Sequence, residues 1–205
     1  MRTYTISELG PEAKERALNS IMADSNFQNK EVDLDWKVEG IEEDLEVEFG
    51  IKNAEVQFTG FHSQGDGASF TGNVGDIPKF IRAIGITEEI PDKIMEALEE
   101  NYEMRSVRMD YRYVHENTVA FEIEDAGETE LILMSGFGIG DVTMDLNGLL
   151  EEIGLEAKAS KWLKEKCKEI YRELFNEYEK DLGPESAEEW ADNMGMEFDV
   201  EGNEV

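Results

Sequence analysis

A chain of 205 residues with 49 Asp and Glu against 19 Lys and Arg carries a formal charge of -30 at pH 7. Such a charge repels nucleic acid, nucleotides and anionic membranes and leaves cationic partners as the natural counterpart. Apolar residues (40%) and aromatics (9%) suffice for a core, so this is not the acidity of a disordered tail, and with one cysteine, no run of 18 apolar residues and no apolar segment in MRTYTISELG, an internal disulfide, a membrane-spanning helix and a signal peptide are not expected.

Ser7 and Pro11 mark a helix start, and Ala13, Ala17, Leu18, Ile21 and Met22 follow at helical spacing. Residues 24–30 are polar and read as a loop. Val38, Ile41, Leu45 and Phe49 recur at steps of three and four, with Glu39, Glu42, Glu43 and Glu46 between them. That pattern predicts an amphipathic helix with an acidic outer face, ended by Gly50. Val56–Phe61 and Ala68–Val74 read as strands, joined by Gln64-Gly65-Asp66-Gly67 with the chemistry of a hairpin turn. Ile77–Ile84 and Pro91–Tyr102 read as helices, the second opened by its proline. Val107, Met109, Tyr111 and Tyr113 alternate with polar residues, as do Val119, Phe121 and Ile123. These predict two half-buried strands that meet at His115-Glu116-Asn117. Leu131–Met134 has strand character, and Gly136, Gly138 and Gly140 suggest a loop. A long helix follows, with Ala159, Leu163, Cys167, Ile170, Leu174 and Tyr178 on one stripe, then a last helix over Glu185–Met194 and an edge strand over Met196–Val200. The expected fold is α+β, an antiparallel sheet of about four strands packed with several helices, as a single domain over residues 1–205.

The acids are locally concentrated. Glu31 to Glu48 holds nine acids and one base, Lys37; Glu116 to Glu130 holds six acids and no base; Asp181 to Glu204 holds nine acids and no base. Bases gather in Lys158–Arg172 and Arg105–Arg112. A folded monomer of this mass exposes roughly 9,700 Å². Its average charge density is then about one per 320 Å², against roughly one per 110 Å² on B-DNA. Imitation of DNA therefore requires concentration of the acids on one face; separate solvated faces are the alternative.

Motifs for specific chemistry are sparse. Gly136, Gly138 and Gly140 lack the spacing of a dinucleotide fingerprint, and no lysine follows for a P-loop. Asp145-Leu146-Asn147-Gly148 matches the middle of an EF-hand loop, but that register puts Thr143 first and Gly154 last, where Asp and Glu are needed. Two histidines, His62 and His115, and one cysteine do not make a zinc site. Cys167 lies on the apolar stripe and reads as a core residue. No metal and no cofactor are expected, and no enzyme. The segment Phe58–Gly72 has two readings: its glycines and Asp66 only build a turn, or Ser63, Gln64 and Asp66 present polar groups at a rigid tip.

Tyr4-Thr5-Ile6-Ser7-Glu8-Leu9, the Gly60–Phe70 hairpin GFHSQGDGASF, Tyr113-Val114-His115-Glu116, Tyr171-Arg172-Glu173-Leu174 and Met196-Glu197-Phe198 occur together in this order. In these the chain resembles a family of small, mostly uncharacterised bacteriophage proteins. The hairpin motif is specific and the other matches are loose; Leu131–Gly154 departs from the pattern, where relatives more often continue as helix. The resemblance implies a phage origin, and it implies that the hairpin and His115 form one shared site.

Together these observations lead to an acidic viral protein of the host cytoplasm that binds and inhibits a basic host protein, a nucleic-acid-binding or anti-phage defence factor, by DNA mimicry. It would make no direct contact with nucleic acid or membrane. The acidic surface would be Glu39, Glu42, Glu43 and Glu46 with Glu185, Glu188, Glu189 and Asp192. One rival is a small-ligand binder, such as a sponge for a nucleotide signal, using Ser63, Gln64, Asp66, Tyr113, His115 and Glu116 with Tyr111 and Arg108 or Arg112. A second is a hydrolase using His115 with Asp66 or Glu116. The charge makes one prediction about the fold itself. Self-repulsion of carboxylates raises their folded-state pKa values, so stability rises as pH falls toward those values, until native ion pairs and caps are lost. Thermal melts should show an optimum at roughly pH 5 to 6 and an increase in Tm with moderate salt; a peak above pH 7 or a decrease with salt contradicts this.

Overall fold

Strands β1 (Ile51–Thr59), β2 (Gly67–Val74), β3 (Tyr102–Arg108) and β4 (Val119–Asp125) form one antiparallel sheet in the order β1-β2-β3-β4. The computed structural model of the chain describes residues 2–86, 90–109, 113–125, 130–133 and 142–205. These divide into two units, Trp36–Arg172, which holds the sheet, and Met1–Asp35 with Glu173–Val205. The fold is α+β, as expected, with a long helix towards the carboxyl end.

In the sheet-containing unit, the helices are α3 (Asp35–Phe49), α4 (Ile77–Ala83), α5 (Asp92–Asn101), α6 (Leu146–Glu152) and the first part of α7 (Leu155–Asp181). Apolar spacing is helical in each, and two carry side-chain caps: Asp76 accepts the Lys79 N–H at the start of α4, and Asp145 accepts the Asn147 N–H at the start of α6. The core is aromatic. Trp162 of α7 lies 4.9 Å from Phe49 of α3, 6.0 Å from Phe70 of β2 and 5.2 Å from Phe80 of α4, ring centre to ring centre. Phe80 also stacks on Phe121 of β4 at 5.1 Å. The α7 stripe Ala159, Leu163, Cys167 and Ile170 is fully buried, as its spacing requires. A second, two-stranded sheet pairs β5 (Glu130–Leu133) with β6 (Val142–Asp145).

The other unit contains a 3-10 turn at Ile6–Glu8, α1 (Pro11–Ala23), α2 (Ser25–Gln28), the last turns of α7 and α8 (Pro184–Met194). Its core is Ile6, Ala17, Ile21, Phe27, Ala187, Ala191 and Phe198, with Trp190 edge-on to Phe27 at 5.9 Å. Lys14 pairs with Glu188 and Lys30 with Asp181.

Several expectations need correction. Residues 24–30 are not a plain loop: Asp24 caps α2, and Phe27 is fully buried, so one apolar residue in a polar run fixes a helical turn. Strand β1 starts at Ile51, five residues early, and ends before Phe61; the bulge between Lys52 and Glu55, with Asn53 at φ 51, hides its alternation. The inward face of β3 is Tyr102, Met104 and Ser106, not Val107 and Met109. Both parities carry apolar residues there. Burial falls on the even set, where the buried Ser106 hydroxyl is satisfied by donating to the Phe70 carbonyl at 2.7 Å. Tyr102 opens β3 rather than closing α5. Met196–Val200 makes only isolated bridges, Tyr4 to Phe198 and Phe198 to Glu204. The glycines 136, 138 and 140, Met134, Tyr111 and Arg112 lie outside the described residues. Among the described residues, no helix is long and apolar enough to cross a membrane.

The aromatic core makes a direct prediction. Phe80 is fully buried between Phe121 and Trp162. Phe80→Ala should cost about 3–5 kcal/mol in urea unfolding; a loss below about 1 kcal/mol would show that this cluster is not the centre of the fold.

Candidate functional site

The hairpin loop between β1 and β2 is tied by one side chain. The Asp66 carboxylate accepts the N–H groups of His62 at 2.9 Å and Ser63 at 2.6 Å, while the Asp66 N–H donates to the Ser63 carbonyl at 3.2 Å. Gly65 takes φ 100, which L side chains rarely adopt. The loop also rests on aromatic rings: Phe58 stacks on Phe61 at 5.6 Å, and Phe61 meets Tyr171 of α7 at 5.6 Å. The Tyr171 hydroxyl donates to the Gly60 carbonyl at 3.4 Å, and burial, with Asp66 adding to it, raises its pKa.

The hairpin and the turn at His115 come together. At Gly67 a Cβ would stand 2.5 Å from the His115 Cβ, so only glycine allows this approach. At Gly65 a Cβ would stand 3.6 Å from the Tyr113 ring. The second turn has its own lock: the His115 N–H donates to the Thr118 hydroxyl, which donates to the His115 carbonyl at 2.7 Å. His115 Nδ1 accepts the Asn117 N–H at 3.1 Å, so the neutral ring carries its proton on Nε2. Glu116 lies 4.0 Å from His115 Nδ1 and 3.7 Å from the Lys168 ammonium. A cavity of about 240 Å³ opens here, lined by Asp66, Gly67, Ala68, Glu116, Cys167, Lys168, Tyr171 and Arg172.

Of the expected site residues, Asp66 and Glu116 line this cavity and Tyr113 and His115 border the hairpin, while Ser63 and Gln64 stand exposed at the tip. Arg108 is elsewhere, donating to Gln57 at 2.7 Å. Lys168, Tyr171 and Arg172 were not anticipated as site residues; their signal was the basic run Lys158–Arg172 together with the resemblance at Tyr171 and Arg172. The groups a hydrolytic reading needs are engaged in turns, Asp66 with two backbone N–H groups and His115 Nδ1 with a third. The buried Cys167 thiol is pushed up to about 12 by desolvation, far from a nucleophile's range. Among the described residues, no group of three or more His, Cys, Asp or Glu side chains is arranged to hold a metal ion.

The acidic residues divide by role. Glu42 accepts the Val56 N–H at 2.8 Å and so occupies a donor of edge strand β1; it is not part of a free outer face. Glu39, Glu43 and Glu46 are exposed, and no ion pair among the described residues engages them. On α8, Glu188 is paired with Lys14, whereas Glu185, Glu189 and Asp192 are exposed.

The loop geometry separates scaffold from surface. Asp66→Ala should cost about 1–2 kcal/mol by freeing two backbone donors, whereas Gln64→Ala, at an exposed side chain without a hydrogen bond among the described residues, should stay within about 0.5 kcal/mol. Chemical denaturation of both variants checks this; equal losses would make the whole tip structural.

A family model described as a domain of unknown function, DUF8835, matches residues 25–183. The match takes in α3, the four-stranded sheet, the hairpin and α7, and stops short of α8. No curated protein and no solved structure matches the chain. With more than three quarters of its residues matched, the chain belongs to the DUF8835 family.

Proposed function

We propose that this protein is a non-catalytic, phage-encoded binder that occupies a basic, nucleic-acid-binding surface of a host protein, a defence factor above all, in the host cytoplasm. The observation that carries the reading is the charge on α3. Over Trp36–Phe49 the outward half of a helix about 21 Å long and about 5.5 Å in radius offers roughly 360 Å². Three exposed acids, Glu39, Glu43 and Glu46, stand there. That is about one net charge per 120 Å², close to the roughly 110 Å² of B-DNA, whereas the chain-wide average is about threefold more dilute. The density needed for mimicry is thus met locally on one helix, within the segment that defines the family.

The small-ligand reading has in its favour the cavity that the two turns make with α7. At about 240 Å³ it lies below the roughly 300–1,000 Å³ of ordinary ligand sites. Asp66 and Glu116 also offset the charges of Lys168 and Arg172 within it, which leaves no net attraction for an anionic nucleotide. The binder of a basic protein is the stronger reading.

Low-salt capture from host lysate, followed by titration of the captured protein with DNA, tests it. Affinity should fall tenfold or more between about 50 and 500 mM salt as screening shortens, and DNA should compete. Binding that is flat in salt, or a ternary complex with nucleic acid, would sink the proposal.

A further inference from the structure

The outward half of α3 is not wholly acidic. Ile41 and Leu45 are buried and define the inner face. At about 100° per residue, the line opposite them runs through Glu43, and Trp36, Val47 and Gly40 form a strip roughly 20°, 40° and 60° to one side of it. A surface helix ordinarily carries polar residues over this half. Here Trp36 is 58% exposed and Val47 62%. Acids flank this strip, Glu39, Glu43 and Glu46 on one side, and Asp44 and Glu48 on the other with Lys37 between them.

Gly40 supplies an independent observation. Glycine inside a helix is less favourable than alanine, so it usually answers a packing need. A Cβ at Gly40 would meet nothing within 4 Å, so no contact among the described residues requires glycine. What the missing side chain does provide is a notch between Trp36 and Val47, where another backbone can approach closely.

We propose that this face of α3 docks a basic amphipathic helix of the partner protein. Trp36 and Val47 are its apolar anchors, Gly40 is the point of close approach, and the flanking acids pair with Lys and Arg beside the partner's apolar stripe. A second copy of this chain is a poor occupant, because two such acidic flanks would face each other. The proposal rests on the reading of the protein as a binder of a basic surface, and adds the shape of what is bound.

Two synthetic peptides of identical composition test it: one with Leu at i, i+3, i+4 and i+7 and Lys or Arg elsewhere, the other with the same residues scrambled. The amphipathic peptide should bind tenfold or more tighter, with a blue shift of emission that is absent in Trp36→Phe. Trp36→Ala should lower its affinity roughly tenfold or more, as expected of a central aromatic anchor. Gly40→Gln should raise Tm while lowering affinity by a similar factor; its higher Tm excludes misfolding as the cause. Neither substitution should change the slope of affinity with salt, whereas Glu39→Gln with Glu43→Gln should flatten it. Equal binding of both peptides, or full affinity in Gly40→Gln, overturns the docking proposal; if that binding is still steeply salt-dependent, the electrostatic reading survives alone. Failure of both peptides to bind at low salt overturns both. A change of sedimentation coefficient of the free protein on Trp36→Ala would assign the face to self-association and overturn the proposal as well.

Discussion

The packing of Trp162 is the contact on which the larger unit depends. One side chain of α7 touches Phe49 of α3, Phe70 of β2 and Phe80 of α4, so a sheet strand and three helices share a single anchor. Aromatic pairs of this kind contribute about 0.5–1.5 kcal/mol each beyond their buried area. A chain with a charge of -30 needs such a core, because its surface works against compaction. The same contact sets the roll of α3. With Phe49, Ile41 and Leu45 turned inward, Trp36, Gly40 and Val47 can only face outward.

Acidity serves two purposes here. Some carboxylates hold backbone donors that would otherwise lack a partner: Asp24, Asp76 and Asp145 at helix starts, Asp66 in the hairpin, Glu42 at the sheet edge. Asp199 does the same in the smaller unit, where bonds from Asn203 and from backbone N–H groups lower its pKa. Others pair with cations, as Glu188 does with Lys14, and a third group, Glu39, Glu43 and Glu46 among them, is exposed with no ion pair among the described residues. Formal charge therefore overstates the carboxylate surface left without ion pairs.

The hairpin and the turn at residues 115–118 illustrate how two turns, each closed by its own hydrogen bonds, come together. Each closes on itself, through Asp66 in one and Thr118 in the other. Gly67 then lets them meet without a Cβ between them, and Tyr171 of α7 holds the hairpin from below.

The amino-acid sequence determined by itself whatever depends on neighbours a few residues apart. The helical stripes of α1, α3 and α7, the turn chemistry around Asp66 and the α+β class all follow from local spacing, and each forms as read. Tertiary structure decided what depends on partners far along the chain. Ser106 is buried with its hydroxyl on the carbonyl of Phe70, and the parity of β3 could not be read from a run with apolar residues on both faces. Glu42 looks like its acidic neighbours until β1 brings the Val56 N–H to it. Lys168, Tyr171 and Arg172 join the hairpin only once α7 crosses beneath it, about a hundred residues later. Periodicity records which face of an element is apolar; which polar group that face meets is set by the packing of elements against one another.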